Sequence, residues 1–169
     1  QGIARDITKW KMNMDRLRKS EEHYRTVFEN TGTASIIIGS DTTIRQANAN
    51  FEKLSGFSKQ ELEGKLSWMV FIAEEDRERM KDFHEQRREE SGSAPNSYEF
   101  RFRNRSGGIR DILLTIALIS GTTESIGSLM DITERKRAEE ALRRSEERYR
   151  DILESMEEAY FEVDLKGNF

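Results

Sequence analysis

The sequence predicts an α+β domain, a single antiparallel sheet with short helices on one face, held between two long charged helices. Three observations predict it. Two blocks of strand-like segments, each folding on itself through a turn, flank a helical insert. The insert is punctuated by helix caps and by glycines placed to end short helices. The stretch leaving the last strand, Asp131 to Met156, carries apolar residues at alternating four- and three-residue steps.

Asp6 to Glu29 is the first long helix, with Trp10, Leu17, Tyr24 and Val27 on one line and Met14 and Phe28 beside it. Thr31-Gly32-Thr33 breaks it. Ala34 to Gly39 is β-branched and bounded by turn residues, as a strand is, and Thr43 to Ala47 returns to make a hairpin. Asn48 and Asn50 are both good caps for a short helix through Phe51 and Leu54, and Gly56 is placed to end it. Ser58 and Glu61 have capping-box spacing for another helix, closed at Gly64.

Ser67 to Ala73 is an apolar run expected as a buried helical turn. Glu74 to Glu89 is a longer helix with Met80, Phe83 and His84 on one side. The loop from Ser91 to Asn96 contains the single proline, Pro95. The period then changes to two. Tyr98, Phe100 and Phe102 alternate with charged residues, and a turn at Asn104–Gly108 leads into Ile109–Ser120, apolar on both faces from Ile112 onward. A second apolar face needs a cover, either the first long helix or a partner chain. Ser125 to Met130 is the last strand and runs into Asp131.

Ala138, Leu142, Ser145, Tyr149, Ile152 and Met156 form the heptad seam of the second long helix, which Asp131-Ile-Thr-Glu134 opens with capping-box spacing. Glu139–Arg143, Glu140–Arg144 and Glu146–Arg150 are acid-before-base pairs one turn apart, each contributing roughly 0.2–0.5 kcal/mol. The same stretch occurs at the start of the chain. Gly2 to Thr8 aligns with Gly127 to Thr133, and Leu17 to Arg25 with Leu142 to Arg150, at an offset of about 125 residues. A repeat of that length is a whole domain with its connecting helix. The expected division is 1–30, a connecting helix from a preceding unit; 31–131, the domain; 132–157, a linker helix; and 158–169, the first strand of a following unit. The seam residues expected to pair two chains are Leu17, Tyr24, Leu142, Tyr149, Ile152 and Met156.

Charge and composition exclude several function classes. Net charge is −4, with 36% charged residues and no basic stripe, against a nucleic-acid partner. With no cysteine there is no disulfide, thiolate nucleophile or cysteine-held metal, and a reducing, cytoplasmic setting is expected. No apolar run approaches a membrane span, although the parent protein is left open to membrane anchoring. There is no phosphate-cradling glycine loop and no metal-spaced set of His, Asp and Glu, so catalytic and metal residues are expected to be none.

The ordered set Ile44-Arg-Gln-Ala-Asn48-Ala-Asn-Phe51, Leu54-Ser-Gly56-Phe57-Ser58, Glu61-Leu62-Glu-Gly64-Lys65, Glu75-Asp76-Arg77, Gly108-Ile-Arg110 and Asp131-Ile-Thr-Glu-Arg-Lys136 resembles the PAS family of the sensory-box type. The resemblance covers about Tyr24 to Lys136. It implies a five-stranded antiparallel sheet with short helices on one face, flanked here by coiled-coil linker helices. It also implies an interior able to hold a small molecule, and service as an input module, most often of a sensor histidine kinase with its phosphorelay and sometimes of a cyclic-dinucleotide enzyme. Light-sensing flavin members need a cysteine for their adduct, so that chemistry is excluded. Haem-binding members use a histidine on the long helix before the third strand. Here that position falls nearer Met80 than His84, which argues against haem. A non-covalent flavin or a small metabolite stays open.

A pocket in such an interior would be mostly apolar. The residues placed to line it are Ile36, Ile38, Phe51, Leu62, Trp68, Phe71, Met80, His84, Phe100 and Leu114, with Asn48, Ser67, Tyr98 and Thr115 as polar contacts. The signalling junction is expected at Asp131, Thr133 and Glu134. The partners expected are a second copy through the linker helices, neighbouring PAS units, and a kinase domain downstream. Two alternatives stand beside the kinase input: a dimerising spacer that binds nothing and relays upstream signals, and an input to a diguanylate cyclase.

Overall fold

The structure, a computed structural model, describes residues 2–89 and 92–166, with side chains described as far as Met156. It divides into two units, residues 1–131 and 132–169.

The first unit begins with α1 (Gly2–Glu29), followed by β1 (Ala34–Ile38), β2 (Ile44–Ala47), α2 (Ala49–Ser55), α3 (Lys59–Leu62), a turn of 3-10 helix (Trp68–Phe71), α4 (Glu74–Gln86), β3 (Ser97–Arg103), β4 (Ile109–Leu118) and β5 (Ser125–Asp131). The sheet order is β2-β1-β5-β4-β3, every pair antiparallel, so the last strand lies at the centre between the first and fourth. The inner face carries Ile36 and Ile38, Phe100 and Phe102, Ile112, Leu114 and Ile116, and Leu129. These pack against Phe51, Leu62, Trp68, Phe71 and Met80 from the helical insert. Phe51 meets Phe71 and Phe102 edge-on at 5.5 and 6.0 Å, and Phe71 stacks on Phe102 at 5.4 Å.

Local chemistry sets the insert. Asn48 caps α2 through Phe51 N–H, and Gly56 ends it in the left-handed region at φ 78°. A Cβ there would also meet Arg105 Cβ at 3.2 Å, so glycine answers to both strain and space. Glu61 reaches back to the Ser58 N–H at 2.9 Å, as the spacing predicts. Ser67 Oγ accepts from Met69 N–H and starts the 3-10 turn. Only the end of α1 is buried, at Phe28; Trp10, Met12, Met14, Leu17 and Val27 are exposed.

Three expectations are corrected in this unit. The helix expected over Glu74–Glu89 ends at Gln86. β4 is buried on one face only: Ile112, Leu114 and Ile116 point inward, while Thr115 and Ala117 are exposed. Asp131 closes β5, paired with Ile112, rather than opening a helix. Ladder pairing holds Asp131 extended, and the helix starts two residues later.

The second unit is one helix, α5 (Thr133–Lys166). Its surface carries the expected Glu140–Arg144 pair, with Arg144 donating to Glu140 at 2.9 Å, and Arg143 donates to the same Glu140 at 2.8 Å. Those two guanidiniums hold the Glu140 carboxyl down to about 2. The strand expected over 158–169 is instead helix as far as Lys166, and the last three residues lie outside the described residues. A lone strand leaves its backbone groups unpaired, whereas a helix satisfies its own.

Candidate functional site

The inner face of the sheet and the helical insert enclose a cavity with about 40 Å³ of open space. Of the residues placed there from sequence, Ile36, Ile38, Phe51, Trp68, Phe71, Met80, His84, Tyr98, Phe100 and Leu114 line it. Leu62 is buried but takes its place in the core away from the cavity. Thr115 is a correction. Strand periodicity turns it to the outer face, where its Oγ1 lies 3.5 Å from Ser97 Oγ. Ser67 spends its hydroxyl on the 3-10 turn and on Thr42, to which it donates at 2.8 Å.

Asn48 is fully buried and serves the fold rather than the cavity. Its Oδ1 accepts from Ser35 N–H at 2.9 Å and Phe51 N–H at 3.0 Å. Its Nδ2 donates to Thr33 O at 2.9 Å, Phe28 O at 3.1 Å and Thr31 Oγ1 at 3.3 Å. One side chain thereby joins the end of α1, strand β1 and the start of α2. Glu29 reinforces the joint, accepting from Ala49 N–H and pairing with Lys59. The Lys59 hydrogen bond, with the Ala49 amide, holds the Glu29 carboxyl below the usual carboxylate range.

The cavity lining also includes Ile72, Arg87, Phe102, Ile116, Gly127 and Leu129. Strand alternation would have found Phe102, Ile116 and Leu129. Arg87 stands seven residues after Met80 and three after His84, on the same face of α4, but its charge reads as a surface residue. It closes the helix with 6% of its surface exposed.

His84, Arg87, Tyr98 and Trp68 form the polar part of the lining. His84 Nε2–H donates to Ser40 O at 3.1 Å, and its ring packs on Trp68 with centroids 5.5 Å apart. Burial pushes the His84 pKa down, which keeps the ring neutral near pH 7. Burial pushes the Tyr98 phenol up. Among the described residues, no cluster of His, Cys, Asp and Glu is arranged to hold a metal.

At the junction, Asp131 Oδ2 accepts from Arg110 Nη1 on β4 at 2.6 Å. Thr133 and Glu134 lie in the first turn of α5. All six seam residues are exposed, including Leu142, Tyr149, Ile152 and Met156 on α5. Tyr24 is also tied to its own domain, stacking on Phe28 and donating to Gln46 Oε1 at 3.2 Å. No helix among the described residues is long and apolar enough to cross a membrane.

The family model described as PAS fold matches residues 22–132. Among solved structures, the PAS domain of an HTR-like protein from Haloarcula marismortui is similar at TM-score 0.58 and 20% identity, covering 72% of this chain and 99% of that one. The sensory box histidine kinase/response regulator from Burkholderia thailandensis is similar at TM-score 0.56 and 26% identity, covering 76% of this chain and 98% of that one. A probable diguanylate cyclase, DgcE of Escherichia coli, is 28% identical over 158 residues. That match takes in 90% of this chain, which spans only 14% of the cyclase's length.

Proposed function

The chain belongs to the PAS fold family, and from that premise we propose that it is the input module of a multidomain sensor histidine kinase, working as a pair of chains. The observation that supports this reading is the position of β5. Gly127 and Leu129 of that strand line the cavity, and the same strand ends at Asp131, two residues before α5. A change in what the cavity holds alters the packing of the central strand, and the chain delivers that change to the helix. The exposed seam of α5 then carries it into a paired helix, where Ser145, a weak polar residue on the line, keeps two packings close in energy. Coupling of this kind amounts to about 1–3 kcal/mol.

The dimensions favour a small ligand over a large cofactor. Pockets for drug-sized molecules run to roughly 300–1,000 Å³. The space here is about 40 Å³, and His84 Nε2 is already engaged by Ser40. A space of that size argues against haem or a flavin. The same closed core favours, as a second reading, a spacer that relays signals without a ligand. The likeness to a probable diguanylate cyclase favours a cyclase as the output in place of a kinase.

The test is made in the parent protein. Asp131→Ala and Thr133→Ala should each uncouple output activity from its signal while the domain stays folded. Normal regulation in both variants would remove the junction from the mechanism. The domain encoded after α5 separates kinase from cyclase.

A further inference from the structure

Arg87 is 6% exposed and lines the cavity. Its terminal nitrogens donate to Pro95 O at 3.2 and 2.6 Å, and its Nε–H has no acceptor. Among the described residues no carboxylate pairs with it; its acceptors, the Pro95 carbonyl and the Tyr98 hydroxyl, are both uncharged. Trp68, also 6% exposed and lining the same cavity, leaves its indole Nε1–H without an acceptor. Two buried donors are therefore orphaned on the wall of one small cavity, and one of them belongs to an uncompensated cation. Buried polar groups are nearly always satisfied, and a buried cation without a partner is costly. The neighbours do not supply the missing charge: His84 and Tyr98 are neutral near pH 7, and Arg88 is a second cation.

We propose that this corner of the cavity binds a small carboxylate, with Arg87 and Trp68 donating to its oxygens and its carbon skeleton lying among the apolar residues. An open space of 40 Å³ holds roughly three water-sized groups at ~10–15 Å³ each, which sets the ligand at the size of acetate. The anion supplies both missing acceptors and neutralises the guanidinium. The proposal deepens the input-module reading and rests on it, since it names the class of signal.

The test is a ¹H–¹⁵N NMR titration of the 169-residue chain at fixed pH with sodium acetate, sodium chloride and acetamide in turn. The chain has two tryptophans, so two indole N–H signals appear, and Trp10→Phe assigns them. Acetate should shift the Trp68 signal saturably and leave Trp10, exposed on α1, unmoved. Arg87→Met should weaken binding at least tenfold, and Arg87→Lys should weaken it less. Gly127→Ala guards against a misfolded Arg87 variant. Its Cβ would point toward Leu114 Cδ1 at 3.2 Å, filling space without touching the donors, and it should also block acetate. A Trp68 signal unmoved by acetate would overturn the proposal. So would chloride or acetamide acting as strongly as acetate, which would leave a general anion hole or a water site. A failed titration leaves regulation through Asp131 standing, and normal output from Asp131→Ala leaves acetate binding standing, so the two readings fail separately.

Discussion

Asn48→Ala is the substitution on which the fold of this domain depends most visibly. The amide holds three elements together, and its loss falls on buried groups. Phe51 N–H keeps a second acceptor, the Asn48 carbonyl at 3.0 Å, and Thr33 O keeps other donors. Ser35 N–H loses its acceptor and Phe28 O loses the amide donor, both on buried residues. A buried group left unmade costs roughly 1–3 kcal/mol, and loss of a helix cap about 1 kcal/mol. The variant should therefore lose about 3–7 kcal/mol, a large part of the stability of a domain this size. With a urea slope of about 1.5 kcal/mol/M the midpoint falls by roughly 2–5 M. Trp68 fluorescence in a Trp10→Phe background reports the transition. Asn48→Asp adds a sharper test. It preserves the acceptor but turns a second oxygen toward the Phe28 and Thr33 carbonyls, so its folded-state pKa is raised. Its deficit should be large at pH 7 and shrink as pH falls through that raised pKa and the carboxyl gains a proton to donate. A loss under 1 kcal/mol for the alanine variant, or an aspartate variant indifferent to pH, would refute the reasoning.

Other outcomes follow from the same geometry. Glu29 has a lowered pKa, so its contribution is complete above the unfolded value and fades as pH falls through the folded one; Glu29→Gln should flatten that part of the acid-unfolding profile. Gly56→Ala should cost about 1–2 kcal/mol in chemical denaturation, from left-handed strain and contact with Arg105. Phe51→Ala, removing a ring that is 1% exposed between Phe71 and Phe102, should cost about 3–5 kcal/mol by the same assay. Arg110→Ala breaks a half-exposed ion pair with Asp131 and should change stability by no more than about 1 kcal/mol, by double-mutant cycle with Asp131→Ala.

Much of the fold was legible because local signals agreed with one another. Asn48, Gly56, Ser58 and Glu61 mark helix ends by their own hydrogen bonds, and alternation at Tyr98, Phe100 and Phe102 shows which side of β3 faces inward. β4 hid its orientation, because Leu113 and Ala117 give its outer face apolar residues beside those of the inner one, Ile112, Leu114 and Ile116. Only pairing with β3, where Phe100 stands opposite Ile112, assigns Leu114 inward and Thr115 outward. Arg87 was missed for a related reason. Periodicity places it on the face of Met80 and His84, but charge argues for solvent, and only the packing of the helix end against the sheet buries it. Gly127 has no side chain with which to announce a cavity wall. Asp131 shows the reverse failure: its spacing to Glu134 suggests a cap, yet its pairing with Ile112 is a long-range fact that local spacing does not contain.

The central claim is that two copies pair through their long helices and that the domain acts as a pair. Native mass spectrometry of the 169-residue chain, repeated with Leu142→Glu and Ile152→Glu together, tests it most directly. The account predicts a dimer for the parent sequence and a monomer for the doubly substituted chain, since both positions lie exposed on the α5 seam. A parent sequence that stays monomeric up to about 100 μM, or a dimer that the two glutamates leave intact, would contradict it.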